Sequence, residues 1–242
     1  MRLNCDLGED YGNWRIPIDE QIYHVIDQAN IACGFHAGDP LAIEKAIKHA
    51  ITNDLEIGAH PSYPDIQGFG RRHMAMHSAD LAACLRYQIS ALKGLVELQS
   101  SQLSYVKLHG ALYNDFVKFD SVRSVVIDTV AEFSGLSLMV QAHPDHQEYS
   151  KLASNHGLEL QFEAFIDRLY LQDGSLAPRG DCDAILNPQQ AVEQAKRLID
   201  SGSVITRHGH SLPVIASTLC VHGDNPDAVY IAQQVRNLLA RA

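Results

Sequence analysis

Short apolar runs alternate with longer amphipathic segments from one end of this chain to the other, the pattern of βα units laid around a parallel sheet. Five of those runs finish on a histidine followed by glycine, alanine or proline: Gly34-Phe35-His36-Ala37-Gly38, Gly58-Ala59-His60-Pro61, Lys107-Leu108-His109-Gly110, Gln141-Ala142-His143-Pro144 and Val221-His222-Gly223-Asp224. A buried strand that delivers an imidazole into a tight turn, repeatedly and with acids nearby, predicts a barrel whose strand ends converge on one polar site.

The length agrees with that reading. At 242 residues and 46% apolar content the chain buries a full core and matches the roughly 250 residues of one (β/α) barrel, so a single domain over 1–242 is expected. A formal net charge of −10 argues against nucleic acid or an anionic membrane surface as partner, because both need clustered Lys and Arg. An anionic small molecule must then be held by a few chosen cations. No apolar stretch approaches the ~18 residues that span a bilayer, and the N-terminus runs straight into Leu3-Asn4-Cys5-Asp6 without a signal-peptide pattern, so a cytoplasmic location is expected. The five scattered cysteines show no CxxC spacing and fit reduced thiols.

Strands are predicted over 2–7, 30–34, 55–59, 104–108, 136–141, 158–163 and 218–221. Asp39-Pro40, Asn187-Pro188 and Asn225-Pro226 each pair an N-cap residue with proline at the first helical position, and further helical patterns run over 18–28, 78–99, 120–133 and 145–156. Residues 204–215 read as a hairpin around Gly209 in place of one βα unit. The expected architecture is therefore an irregular (β/α) barrel of about seven strands.

In such barrels the reactive groups lie at the C-terminal ends of the strands. Those ends carry Asp6 and Glu9, His36 with Asp39, His60, Lys107 and His109, Glu163 with Asp167 and Arg168 just beyond, and His222 with Asp224. Lys107 and His109 lie two apart and share a face, toward the barrel axis if Val106 and Leu108 face the helices. Imidazoles beside carboxylates suit general acid–base work near neutral pH, and Lys or Arg adds stabilisation of an oxyanion or phosphate. The same Asp and His set also suits a divalent metal that activates water, and residue types alone do not separate the two.

Plainer roles compete. His143 precedes an ordinary helix start, His208 and His210 flank a hairpin glycine, and His24, His49 and His156 fall in helical segments. Cys33 and Cys220 sit in apolar runs, where packing outweighs nucleophilic catalysis. Asp39 caps a helix, a role of equal force with a part in the site and compatible with it. The Gly/Pro-rich stretch 61–72, with Arg71 and Arg72, and the stretch 173–180, ending near Arg179, read as ligand-contacting loops whose arginines suit a carboxylate. No GxxxxGK[ST] is present, so the chain lacks a P-loop for ATP.

Several long motifs occur in one order: Asp6-Leu7-Gly8-Glu9, Ala29-Asn30-Ile31-Ala32-Cys33-Gly34-Phe35-His36-Ala37-Gly38-Asp39, Gly58-Ala59-His60-Pro61-Ser62, Gly68-Phe69-Gly70-Arg71, Val106-Lys107-Leu108-His109-Gly110-Ala111-Leu112-Tyr113-Asn114, Glu163-Ala164-Phe165 with Asp167-Arg168, Asp173-Gly174-Ser175-Leu176 with Pro178-Arg179, and Cys220-Val221-His222-Gly223-Asp224. Together they resemble the LamB/YcsF family, to which the first component of bacterial 5-oxoprolinase belongs. The resemblance implies a barrel similar to that of the metal-dependent polysaccharide deacetylases. It also implies ATP-coupled opening of 5-oxoproline to L-glutamate with B and C partner subunits. On this resemblance Asp6, Glu9, His36, His60, Lys107, His109, His222 and Asp224 form the catalytic set, and Asn30, Asp39, Arg71, Tyr113, Glu163, Arg168 and Arg179 hold substrate. A bound divalent metal is a possibility that the family pattern leaves open. The alternatives are a stand-alone metal-dependent amide or N-acetyl hydrolase, or a non-catalytic protein that presents substrate to its partners. The chain departs from the family at Asp10-Tyr11-Gly12-Asn13-Trp14, where glycines are usual, at Leu108, where proline is frequent, and at Arg207-His208-Gly209-His210.

Overall fold

A computed structural model describes residues 1–17, 20–223 and 225–241. Among them seven strands close a parallel barrel in the order β1 (Arg2–Leu7), β2 (Gln28–Ala32), β3 (Glu56–His60), β4 (Leu103–Lys107), β5 (Ser137–Gln141), β6 (Leu160–Phe165) and β9 (Thr218–Cys220), with β9 returning to pair with β1. Two further strands, β7 (Ser203–Ile205) and β8 (Ser211–Pro213), form the expected antiparallel hairpin outside the barrel. The outer layer is α1 (Pro40–Thr52), α2 (Ser78–Leu98), α3 (Gly110–Lys118), α4 (Asp120–Ala131), α5 (His146–Ser154), α6 (Pro188–Ser201) and α7 (Ala228–Leu239).

Alternation along β1 sets the pattern for the interior. Asn4 and Asp6 reach across to Lys107 of β4, so they face the axis, and the period of two turns Leu3, Cys5 and Leu7 outward into the helix-covered core. The axis itself is polar. At the N-terminal end Arg2 pairs with Glu56 at 2.6 Å, Gln28 donates to Glu56 and Gln161, Gln161 donates to Ser137, and Thr218 donates to Gln28. Leaving the buried Gln28 or Thr218 without a partner would cost ~1–3 kcal/mol, so the network closes this end by mutual satisfaction. Gly58 makes room higher up: a Cβ there would lie 2.1 Å from the Tyr105 ring, which passes over this glycine of the intervening strand to donate to Asn30.

Two helix starts follow from local chemistry as expected. Asp39 caps α1 by accepting from Ala42 N, and Asn187 with Gln190 forms a reciprocal capping box on α6, which ends at Gly202 in the left-handed conformation. The third expectation needs correcting. The last helix begins at Ala228 rather than beside Pro226, because the Asn225 side chain accepts from Asp227 N and holds a turn there. The segment 18–28 is not a full helix: its described part holds only a 3-10 turn, Glu20–His24, and β2 starts already at Gln28. Asp27 is tied to β1 by Leu3 N–H and by its own N–H to Leu3 O, which shortens the connection. Residues 110–118, without a helix in the sequence reading, form α3.

Candidate active site

Every barrel strand except β2 ends in polar groups that line a single cavity of about 1070 Å³ at the C-terminal mouth of the barrel. Asp6, Glu9, His60, Arg71, Lys107, His109, Tyr113, Arg168, Arg179 and His222 line it. Glu163 and Asn30 are fully buried and reach it through their bonds to Lys107 and Asp6, while His36 stands behind Glu9. Both oxygens of Asp39 are taken by backbone, Oδ1 by Ala42 and Oδ2 by Gly12, and the residue does not line the cavity. Asp224 lies outside the described residues.

Lys107 is the hub of one half of the floor. Its Nζ stands 2.7 Å from Asp6 Oδ1, 2.8 Å from Glu163 Oε1, 3.3 Å from Asn4 Oδ1 and 3.4 Å from Cys220 Sγ. Asn30 donates to both Asp6 and Asn4, and Tyr113 donates to Glu163 at 2.8 Å. Burial works against the ammonium, yet the two carboxylates, Asp6 foremost, outweigh it and hold the Lys107 pKa well above the usual lysine value. Burial likewise opposes the Asp6 carboxylate, and His60 with Lys107 overcomes it, holding that carboxyl well below its usual range. Burial pushes the Cys220 thiol well up, so it stays protonated and packs.

Imidazoles fill the other half. His60 Nδ1 lies 2.8 Å from Lys107 O, and His109 Nε2 lies 2.9 Å from Phe69 O. A carbonyl oxygen only accepts, so both of these nitrogens carry protons. The remaining ring nitrogens, His60 Nε2 and His109 Nδ1, face each other at 2.9 Å, with Glu9 Oε1 3.4 Å from the second and Asp6 Oδ2 3.4 Å from the first. His36 stacks on His109 at 3.7 Å between ring centres and places Nε2 3.0 Å from Glu9 Oε1. Burial lowers the pKa of His36 and of His109 well below the usual imidazole value and raises that of Glu9. One donor atom from each of Glu9, His36, His60 and His109 lies within 4.8 Å of the others, so this cluster is a possible metal site.

The loop after β3 fixes that geometry. Asp65 binds Gly68 N–H and the Arg72 guanidinium, Gly70 N–H donates to Asp65 O, and Ala111 N–H donates to Gly70 O. Gly70 has φ +64°, and a Cβ on it would come within 2.8 Å of His36 Cβ and 2.9 Å of His109 Cδ2. The loop can therefore lie directly on the imidazoles and present Phe69 O to His109. Arg71 rests over the Phe69 ring at 4.9 Å.

On the far wall His222 Nδ1 is held 2.8 Å from Asp167 Oδ1, with the Phe165 ring stacked against it. Burial opposes the Asp167 carboxylate and His222 outweighs it, so its pKa falls. Arg168 donates to Ala177 O and Ala184 O, and burial, with Arg179 next to it, brings its pKa down to about 10. Sequence reasoning did not single out Asn4 or Tyr105 at the floor. Both sit two residues before a chosen group, Asp6 or Lys107, and the same alternation would have found them. His143, read as an ordinary helix start, also lines the cavity.

A closed parallel barrel with buried acids, imidazoles and an ammonium gathered at its C-terminal mouth defines the class. The chain belongs to the LamB/YcsF family, whose model matches residues 1–242. It is 46% identical over 240 residues to the A component of 5-oxoprolinase from Vibrio cholerae, covering 99% of this chain and 97% of that one. It is 44% identical over 239 residues to a 5-oxoprolinase A component from Pseudomonas aeruginosa, covering 98% and 95%. The crystal structure of a lactam utilization protein from Thermus thermophilus superposes with a TM-score of 0.89 at 37% identity, covering 99% of this chain and 96% of that one.

Proposed function

We propose that this chain is the lactam-handling component of a 5-oxoprolinase, opening 5-oxoproline to L-glutamate with ATP and with B and C partner subunits. The observation that carries the reading is the Lys107 ammonium, held charged between Asp6 and Glu163 beside imidazoles at the cavity floor. Family membership and the names of the relatives add to it.

A five-membered lactam is a stable amide, so its carbonyl needs activation before water can add. In the proposed sequence the carbonyl oxygen takes the γ-phosphoryl group of ATP, releasing ADP as the amide proton leaves. Water then adds to the carbon, the C–N bond breaks to free the amine as an acyl phosphate, and a second water releases phosphate. Charge builds first on the transferred oxygens and then on the tetrahedral carbon's oxygen. Lys107 is suited to stabilise that charge, and His60, His109 or Glu9 to move the protons of water and of the leaving nitrogen. Arg71, Arg168 and Arg179 on the wall suit the substrate carboxylate or phosphate.

Lys107→Ala and His109→Ala, each reconstituted with both partner proteins, should lower ATP-dependent glutamate release at least about 100-fold. Full release by both variants would discard the assignment. The convergence of Glu9 with three imidazoles favours a second reading, metal-dependent amide hydrolysis by the isolated chain. Glutamate release from that chain without ATP would select it.

A further inference from the structure

We propose that His60 Nε2, His109 Nδ1 and Glu9 Oε1 bind one divalent first-row transition metal ion, with His36 positioning the carboxylate. The inference deepens the reading of this pocket and rests on hydrogen-bond direction. Lys107 O and Phe69 O each demand a proton from the outer nitrogen of its ring, at 2.8 and 2.9 Å. With both rings neutral, as metal ligation requires, the inner nitrogens present lone pairs to each other across 2.9 Å, with Glu9 Oε1 3.4 Å from the His109 nitrogen and Asp6 Oδ2 3.4 Å from the His60 nitrogen. Buried acceptors crowded together with no hydrogen between them repel, unless a cation stands among them.

The donors fit a metal better than chance crowding. Two imidazoles and one carboxylate, with room left on the cavity side, form the three-ligand set of a catalytic zinc-type centre. Nitrogens each about 2.1 Å from a shared tetrahedral ion sit roughly 3.4 Å apart, so the present pair need open by only about 0.5 Å. Each ligating ring has its other nitrogen bonded to a backbone carbonyl, the arrangement that fixes tautomer and orientation at metal sites. His36 Nε2 lies 3.0 Å from Glu9 Oε1, within hydrogen-bond reach, while its Nδ1 is buried without a partner. The neighbouring set of Asp6, Cys220 and His222 also converges, but Lys107 already supplies the cation there, 2.7 Å from Asp6 and 3.4 Å from Cys220. Nitrogen and oxygen donors without thiolate suit Zn²⁺, Co²⁺ or Mn²⁺. Such an ion supplies a Lewis acid for a carbonyl oxygen or for water.

The test uses the isolated full chain, stripped by chelator and titrated with Co²⁺ and with Zn²⁺. The expected result is about one ion per chain, retained through gel filtration, with visible Co²⁺ bands of a low-coordinate site. Glu9→Gln and His60→Gln should each weaken binding by at least about tenfold. On wild-type chain, Zn²⁺ should shift the ¹⁵N resonances of His60 Nε2 and His109 Nδ1, a readout that needs no variant. Well under one ion per chain, unchanged affinity in both variants, or unmoved resonances at those nitrogens would overturn the proposal and leave a proton shared by the two rings. The titration contains no lactam, ATP or partner protein, so failure here leaves the lactam reading standing, and loss of that reading leaves the ion.

Discussion

The two halves of the cavity floor handle charge in opposite ways. Around Lys107 every strong charge has its counterpart: an ammonium between two carboxylates, each carboxylate further bonded by Asn30 or Tyr113. Around His60 and His109 backbone carbonyls take the outer N–H groups and turn the inner ring nitrogens toward each other. One half closes on itself through paired charges, and the other gathers imidazoles and a carboxylate into a possible metal-binding cluster. The difference comes from where the groups sit: the strand residues Asp6, Lys107 and Glu163 make the first half, whereas Glu9, His36 and His109, from beyond the ends of β1, β2 and β4, join His60 in the second.

The largest expected effect tests the closed half. Lys107→Met strands Asp6 and Glu163 as buried unpaired acids, and should cost about 3–5 kcal/mol, a fall of roughly 10 °C in thermal midpoint. Adding Glu163→Gln should restore more than about 1 kcal/mol, because the two changes share one network. His60→Gln in chelator-stripped protein should cost under about 2 kcal/mol, since it removes one of two opposed acceptors. Equal losses for Lys107→Met and His60→Gln by thermal melts would erase the contrast.

The smallest effect lies outside both halves. Asp39→Ala should cost about 1 kcal/mol at neutral pH through the lost cap on α1. The N–H groups of Ala42 and Gly12 hold the Asp39 carboxyl below its usual range, so its contribution is complete above about pH 4 and is lost as the pH falls through the lowered folded value. Urea unfolding of wild type and variant should therefore show a gap that narrows below pH 4, and a gap that widens there would contradict the cap's charge.

Much of this was legible in the chain, and the limits have physical causes. Period-two alternation delimits β1 at Arg2–Leu7, and Asp39-Pro40 and Asn187-Pro188 mark α1 and α6 through side-chain capping. Asn225-Pro226 misleads because the same kind of side chain serves a turn instead, and 18–28 misleads because Ile22, Tyr23, Val25 and Ile26 pack into the core without needing a full helical run. The gathering of Asp6, Glu9, His60, Lys107, His109 and His222 follows from their places at strand ends. What strand position does not carry is proton direction. The contact of Phe69 O with His109 depends on how a Gly-rich loop folds back through Gly70, a long-range event that local pattern does not encode.

The central claim is that this mouth of the barrel is where a lactam meets the chain. Titrating the isolated, ¹⁵N-histidine-labelled protein with 5-oxoproline tests it most directly. The account predicts saturable shifts confined to His36, His60, His109, His143 and His222, with His24, His49 and His156 unmoved. Shifts absent at saturating lactam, or centred on those helical histidines, would contradict it.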